Sequence, residues 1–350
     1  MKSEDTRSSA ITTPNPLILV LHGGTSTERA VSLQSGAAVL EALQGASQSG
    51  AWAGRAEAVL IDADGRWSYQ DKVLSEDQAL LAIPPGAVVF NALHGGRGEG
   101  GDIQSALENA GVRYTGSGPA ASALCMDKAS TRDALMLAGL ECSPGHLVVS
   151  LPTEAEGIAV LMAELNEMNT DGQGWFVKPN RGGSSAGVQR VTHSEELLSA
   201  VESIITSGEE ALVEVAITGV ELSAGVMGRS EAELIAFTPV EIQPRQAAWF
   251  DESEKYDDKN GAREPCPPES VPALVVEEVK LAALTAHKAT GCYGYSRTDF
   301  IYSQSGCLIV LEVNNLPGLT PRSLLPLEAA KDGVSFLDLC LAILSLAQDK

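Results

Sequence analysis

Positive charge is scarce in this sequence. Only 24 Lys and Arg stand against 46 Asp and Glu, a formal net charge of −22. That balance excludes a protein that grips nucleic acid by its phosphates, which needs clustered cations, and it argues against docking on an anionic membrane. An anionic substrate would have to be met by local cations set against a repulsive overall field. Long apolar runs are also missing: none approaches the ~18–20 residues that span a bilayer. The opening MKSEDTRSSAITTPNP is polar, without the apolar segment of a signal peptide, and residues 1–14 read as a flexible tail. The six cysteines are scattered, with no CxxC or zinc spacing, which points to reduced thiols in a cytoplasmic protein.

What is present is an alternation of strands and helices, so the fold class is mixed α/β (α+β). LILVL (17–21) runs into a glycine turn and then a helical pattern, and AVVFNALHGG (87–96) again leads into a glycine loop. DIQSALENAG (102–111) reads as a helix closed by Gly111. Such alternation predicts a doubly wound parallel sheet over 15–116, with ligands at the loops that leave the strand ends. Paired strands are expected around 171–191, a helix over 194–206, and antiparallel strands in ALVEVAITGVELSAGVMG and AELIAFTPVEI. Residues 243–262 open a charged, proline-rich stretch that reads as a lid. A helix over 273–290, a strand pair over 293–313 and a helix over 334–347 complete the pattern.

Chemistry concentrates in GYSRTDFIYSQSGCLIVLEVNNLPG. Two alternating apolar runs flank Ser305-Gly306, which reads as a tight turn. With that centre Asp299 faces Glu312 and Arg297 faces Asn314, all four on one face of the hairpin. Opposed carboxylates repel unless a cation lies between them, and oxygen donors of this kind suit a hard ion such as Mg²⁺. The plain alternative is a solvated face of arginine–carboxylate pairs. FVKPNRGGSSAGVQR (176–190) carries Lys178 ahead of a glycine–serine loop. It is not a Walker A motif. Alone it reads equally as a hairpin or as a cover over phosphate; a lysine–helix unit at Lys128 and an Mg²⁺ patch favour the cover.

Eight ordered stretches resemble one family. They are HGGTSTERAVSLQSG (22–36), NALHGGRGEGGDIQ (91–104), YTGSGPAASALCMDK (114–128), FVKPNRGGSSAG (176–187), VEVAITGVELS (213–223), EKY (254–256), GYSRTDF (294–300) and LEVNNLPGLTPRSL (311–324). Together they span nearly the whole chain and resemble the D-alanine–D-alanine ligases of the ATP-grasp superfamily. The resemblance implies an N-terminal domain over 15–116 and a two-lobed ATP-grasp fold, with a central lid domain over 117–216 and a C-terminal domain over 217–350. It also implies two Mg²⁺ per site, replaceable by Mn²⁺, a homodimer, and ATP and D-alanine as substrates in peptidoglycan precursor synthesis.

Residue by residue, the resemblance assigns Lys128, Lys178, Lys255 and the loop around Ser184 to the phosphates of ATP, Glu214 to the adenine and Glu221 to the ribose. Asp299, Glu312 and Asn314 match the metal ligands. Glu28 matches the residue that holds the ammonium of the first D-alanine, and His94 lies near that substrate. Tyr256 matches the tyrosine that closes a triad with the counterparts of Glu28 and Ser184. Arg297 and the Gly318 amide match the oxyanion donors, and Ser323 the partner of the second carboxylate. His22, His193 and His287 are assigned no role. The sequence departs from the family pattern at Gly182, Val215, Glu252 and Arg322. The last two bear on the acceptor, so a related ligase using D-serine or another amino acid is the alternative. A silent nucleotide-binding protein would have lost metal ligands or Arg297, and HGGTST does not fit the dinucleotide-binding glycine pattern.

Overall fold

The structure, a computed structural model, describes residues 16–183, 187–244 and 262–347. The expected tail at 1–14 and nearly all of the lid stretch lie outside them. The first unit runs β1 (Leu17–Gly23), α1 (Arg29–Ser49), β2 (Arg55–Ile61), β3 (Trp67–Tyr69), β4 (Lys72–Leu74), α2 (Glu76–Ala82), β5 (Val88–Asn91), α3 (Gly96–Glu99), α4 (Asp102–Asn109) and β6 (Arg113–Tyr114). Its six-stranded sheet has the order β4-β3-β2-β1-β5-β6, parallel from β2 to β6. Successive side chains of a strand point to opposite faces. Accordingly Ile18 and Val20 pack with α1, and Leu19 and Leu21 with Trp67 and Leu107 on the other side. All four β1 residues are at most 1% exposed, each contributing about 1.5–3 kcal/mol by burial. The chain leaves β1 toward β2 on one side and returns to β5 on the other. The loops after β1 and β5 therefore open at the crevice where ligands gather in such sheets.

The second unit holds α5 (Pro119–Met126), α6 (Lys128–Leu137), β7 (Glu141–Cys142), β8 (Gly145–Val148), α7 (Ala155–Met168), β9 (Trp175–Pro179), β10 (Gln189–Val191), α8 (Ser194–Thr206) and β11 (Ala211–Val215). Strands β10-β9-β11-β8 form an antiparallel sheet, closed on one face by Leu165, Leu197, Val201 and Ile204. The third unit comprises β12 (Gly219–Gly228), β13 (Ile235–Ala236), β14 (Val240–Ile242), α9 (Ala273–Ala289), β15 (Gly294–Ser303), β16 (Leu308–Asn314), α10 (Leu324–Lys331) and α11 (Phe336–Leu346). Its sheet has the order β13-β12-β15-β16-β7, with β14 also paired to β12. Helix α11 packs its Leu339 and Ile343 into the cluster of Ile18, Leu43 and Phe90, so the chain's end closes the core of its beginning. Among the described residues no helix is long and apolar enough to cross a membrane.

β12 pairs antiparallel with β13 and β14, as the alternation over these stretches predicts, and β11 lies in the sheet of the second unit. One expectation is corrected. The hairpin turn is one residue longer than Ser305-Gly306: Ser303 donates its N–H to Cys307 O at 2.8 Å, leaving residues 304–306 as the loop. Gly306 has φ +86°, the left-handed value a three-residue loop of this kind requires. Centred there, Asp299 would face Leu311. A bulge between Asp299 and Phe300 admits Leu311 as an extra residue, pairing Phe300 with Val310 but Asp299 with Glu312. The expected pairs Asp299–Glu312 and Arg297–Asn314 are present.

Candidate active site

The loops after β1 and β5 are tied to each other. Ser26 Oγ donates to His94 O at 2.5 Å, and Ser32 Oγ to Ala92 O at 2.8 Å. His94 is buried, its Nε2 3.0 Å from Ser35 Oγ. Burial, aided by the charge of Arg297, lowers its pKa to about 4 against a contact with the Leu316 backbone, so the ring is neutral at neutral pH. Ser35 Oγ in turn accepts from Leu319 N at 3.3 Å, which ties α1 to the loop after β16. Glu28 stands at the N-cap position of α1 and lies between two glycines. A Cβ on Gly95 would sit 2.4 Å from its Oε2, and one on Gly183 would sit 2.8 Å away. Thus a glycine from the first unit and one from the loop of the second enclose the same carboxylate.

Glu28, Lys128, Arg132, Gly182, Glu312 and Asn314 line one cavity between the three units. Lys128 is the first residue of α6, whose N-cap Asp127 accepts from Ser130 N at 3.0 Å. Its ammonium reaches Gly182 O, and burial lowers its pKa. Deeper in the second unit Glu214 is ion-paired on Oε1 with Arg132 and on Oε2 with Lys178. Burial alone would raise the pKa of this carboxyl, but the two cations outweigh it and hold it below the usual range.

On the third sheet Arg297 forks onto Asp299, Nε to Oδ1 at 2.9 Å and Nη2 to Oδ2 at 2.7 Å. Ser223 Oγ donates to Oδ1 at 2.8 Å and Asn314 Nδ2 to Oδ2 at 3.1 Å. The cation that relieves the facing carboxylates here is therefore Arg297. Among the described residues no three His, Cys, Asp or Glu cluster closely enough to hold a metal. The two carboxylates and the one amide nevertheless stand on one face, and hard oxygen donors of this kind are the type that Mg²⁺ takes. Glu221 precedes Ser223 by two on β12 and shares its face. Gly318 abuts Ser323: a Cβ at 318 would lie 2.7 Å from Ser323 Oγ, which also accepts from Thr320 N at 3.1 Å.

The structure thus brings Glu28, Lys128, Glu312 and Asn314 to one cavity and pairs Lys178 with Glu214. Ser184, Lys255, Tyr256 and Glu252 lie outside the described residues. Three charged residues were not anticipated. Glu99 holds Gly95 N on Oε2 at 2.9 Å, its pKa pushed up to about 8 by burial and by Glu28. Glu328, fully buried, takes Gly225 N on Oε2 at 2.5 Å. Arg132 follows Lys128 by four residues, the spacing that puts two side chains on one helix face, and that signal was available in DKASTR.

Residues 160–345 match the family model described as the D-ala D-ala ligase C-terminus. The chain is 40% identical over 324 residues to the D-alanine–D-alanine ligase of Gluconobacter oxydans, spanning 92% of this chain and 96% of that one. It is 37% identical to that of Nitratidesulfovibrio vulgaris, covering 94% and 97% of the two. Among solved structures, VanG D-Ala:D-Ser ligase from Enterococcus faecalis superposes with a TM-score of 0.77 at 29% identity, over 95% of this chain and 99% of that one. The fold is the ATP-grasp fold, and the chain belongs to the D-alanine–D-alanine ligase family.

Proposed function

We propose that this protein joins two D-alanines into D-alanyl-D-alanine, splitting ATP to ADP and phosphate through an acyl-phosphate intermediate. The reading is carried by one observation: Glu28, Lys128, Glu312 and Asn314, from all three chain regions, meet in one cavity of a chain that belongs to this ligase family. A carboxylate and an ammonium do not condense in water, so the first carboxylate must be activated. Lys128 and Lys178 hold the phosphates of ATP, with Lys255 and the loop around Ser184 closing over them, while Glu214 accepts from adenine and Glu221 from the ribose. Asp299, Glu312 and Asn314 would hold Mg²⁺, two ions or Mn²⁺ in their place. Bound there, the metal supplies charge neutralisation for the transferring phosphoryl group.

Glu28 pairs with the first substrate's ammonium, and with Ser184 and Tyr256 orients its carboxylate. Neutral His94 lines that pocket without adding a repulsive charge. Ser323 fixes the second carboxylate so that its amine, once deprotonated, reaches the acyl carbon. Arg297 and the Gly318 amide receive the oxyanion, each worth about 2.7–4 kcal/mol of transition-state stabilisation. Phosphate then leaves. Family membership further leads us to propose a cytoplasmic homodimer, which sedimentation at working concentration tests. The activity test is phosphate release from ATP with D-alanine, run beside D-serine, D-lactate and L-alanine as acceptors. D-alanine-dependent release supports the reading. Release that requires D-serine would move it to the alternative acceptor, and no release with any of them would end it.

A further inference from the structure

Arg132 has no part in the mechanism above, yet it is one of the least accessible cations of the site. Its side chain and that of Glu214 are each 9% exposed, and Lys178 is 13% exposed. The guanidinium lies flat against Gly145 of β8, where a Cβ would meet its Cζ at 2.9 Å, and Gly145 is the ladder partner of Glu214. Arg132 is thus packed into a slot that only a glycine leaves open, facing one oxygen of one carboxylate. The other oxygen belongs to Lys178, a diagonal neighbour on the same face of the sheet.

Two cations on one buried carboxylate exceed what its charge requires. The excess matters when one cation departs. With Arg132 in place, Lys178 can leave and Glu214 stays paired one to one. Without Arg132, the departure of Lys178 would strand an uncompensated buried charge, a strongly unfavourable state. The Lys178 ammonium also competes with any further donor for Oε2, which is a weaker acceptor while it holds that charge.

We propose that Arg132 is the positioning residue of the nucleotide site: it keeps Glu214 by Oε1, while Oε2 passes from Lys178 to the 6-amino group of adenine as Lys178 turns to the phosphates. The proposal rests on the assignment of Lys178 and Glu214 to the nucleotide given above. It couples base recognition to phosphate capture. A nucleoside without phosphates leaves Lys178 on Glu214 and must share that oxygen with the ammonium, and a base with a 6-oxo group offers an acceptor where a donor is required.

The test is calorimetric titration of the full chain and its Lys178→Met and Arg132→Met variants with adenosine, inosine, ADP and IDP. Lys178→Met should bind adenosine about tenfold more tightly than the parent does, with no gain for inosine. Arg132→Met should lose about tenfold in ADP affinity and its preference for ADP over IDP. Adenosine binding no tighter to Lys178→Met than to the parent overturns the proposal, as does an unchanged ADP preference in Arg132→Met. If Arg132→Met does not fold, the Lys178→Met comparison decides alone. The parent's D-alanine-dependent phosphate release is measured on the same preparation. Where release is intact and the variants behave like the parent, only this inference fails; where release is absent, the ligase reading itself fails.

Discussion

At the scale of single residues, the site is defined by which charges are buried and what each is paired with. Glu328 is the clearest unpaired case. It is 0% exposed, Oε2 takes Gly225 N, and Oε1 has no partner among the described residues. Burial pushes its pKa up to about 8, against the pull of Arg297. In the unfolded chain the group ionises near pH 4.5, so between there and pH 8 only the unfolded state sheds its proton, and stability falls as pH rises. Glu328→Gln, which cannot ionise, should gain stability over the parent across that window, by roughly 1.4 kcal/mol for each unit of elevation. Urea denaturation at a series of pH values reads the difference; parallel curves from about pH 5 to 8 would show that Glu328 ionises normally.

Glu328 also marks where sequence reasoning stops. In SLLPLEAAKDG nothing distinguishes an inward Glu from an outward one, because the helix face is set by the sheet it lands on. Glu99 was hidden for a related reason: its place beside Glu28 depends on two loops about 70 residues apart in the chain. Asp299, Glu312 and Asn314 were legible because a hairpin is local, and the pairing of its strands follows from the turn.

At the scale of elements, that legibility has a physical limit. The expected turn centre paired the site residues correctly while mispairing Phe300, since the true turn and the bulge at Leu311 each shift the register by one and cancel at Asp299. The helix at 194–206 was readable from its apolar spacing alone. Very short strands such as β7, two residues long, were not, because a strand of that length exists only through its partner. Helix α6 presents Lys128 by its first turn, fixed by the Asp127 cap, and Arg181 reaches back to Asp127 Oδ2 at 3.2 Å. Asp127→Ala should cost about 1 kcal/mol in stability. It should also raise the KM for ATP more than that for D-alanine. A thermal melt and steady-state kinetics check the two halves, and an unaltered KM for ATP would mean the cap does not set the lysine's position.

For the whole molecule, the net charge of −22 surrounds a site that must admit a polyanion. Local cations at Lys128, Arg132, Lys178 and Arg297 offset that field only at short range, because charges farther apart than about 10 Å are screened at 0.1 M salt. Association of ATP should therefore quicken as salt rises from about 10 to 150 mM, the reverse of a basic nucleotide-binding protein. Stopped-flow binding in tetramethylammonium chloride, a cation too large for protein sites, measures it. A rate that falls with salt would mean the local cations dominate the approach.

Most depends on the facing carboxylates of β15 and β16 serving phosphoryl transfer. The most direct test is phosphate release with ATP, Mg²⁺ and D-alanine by the parent chain and by Glu312→Gln prepared alongside it. The prediction is D-alanine-dependent release by the parent, with one D-alanyl-D-alanine per phosphate, and a loss of at least about a hundredfold in the variant. Release by Glu312→Gln at the parent's rate would contradict it.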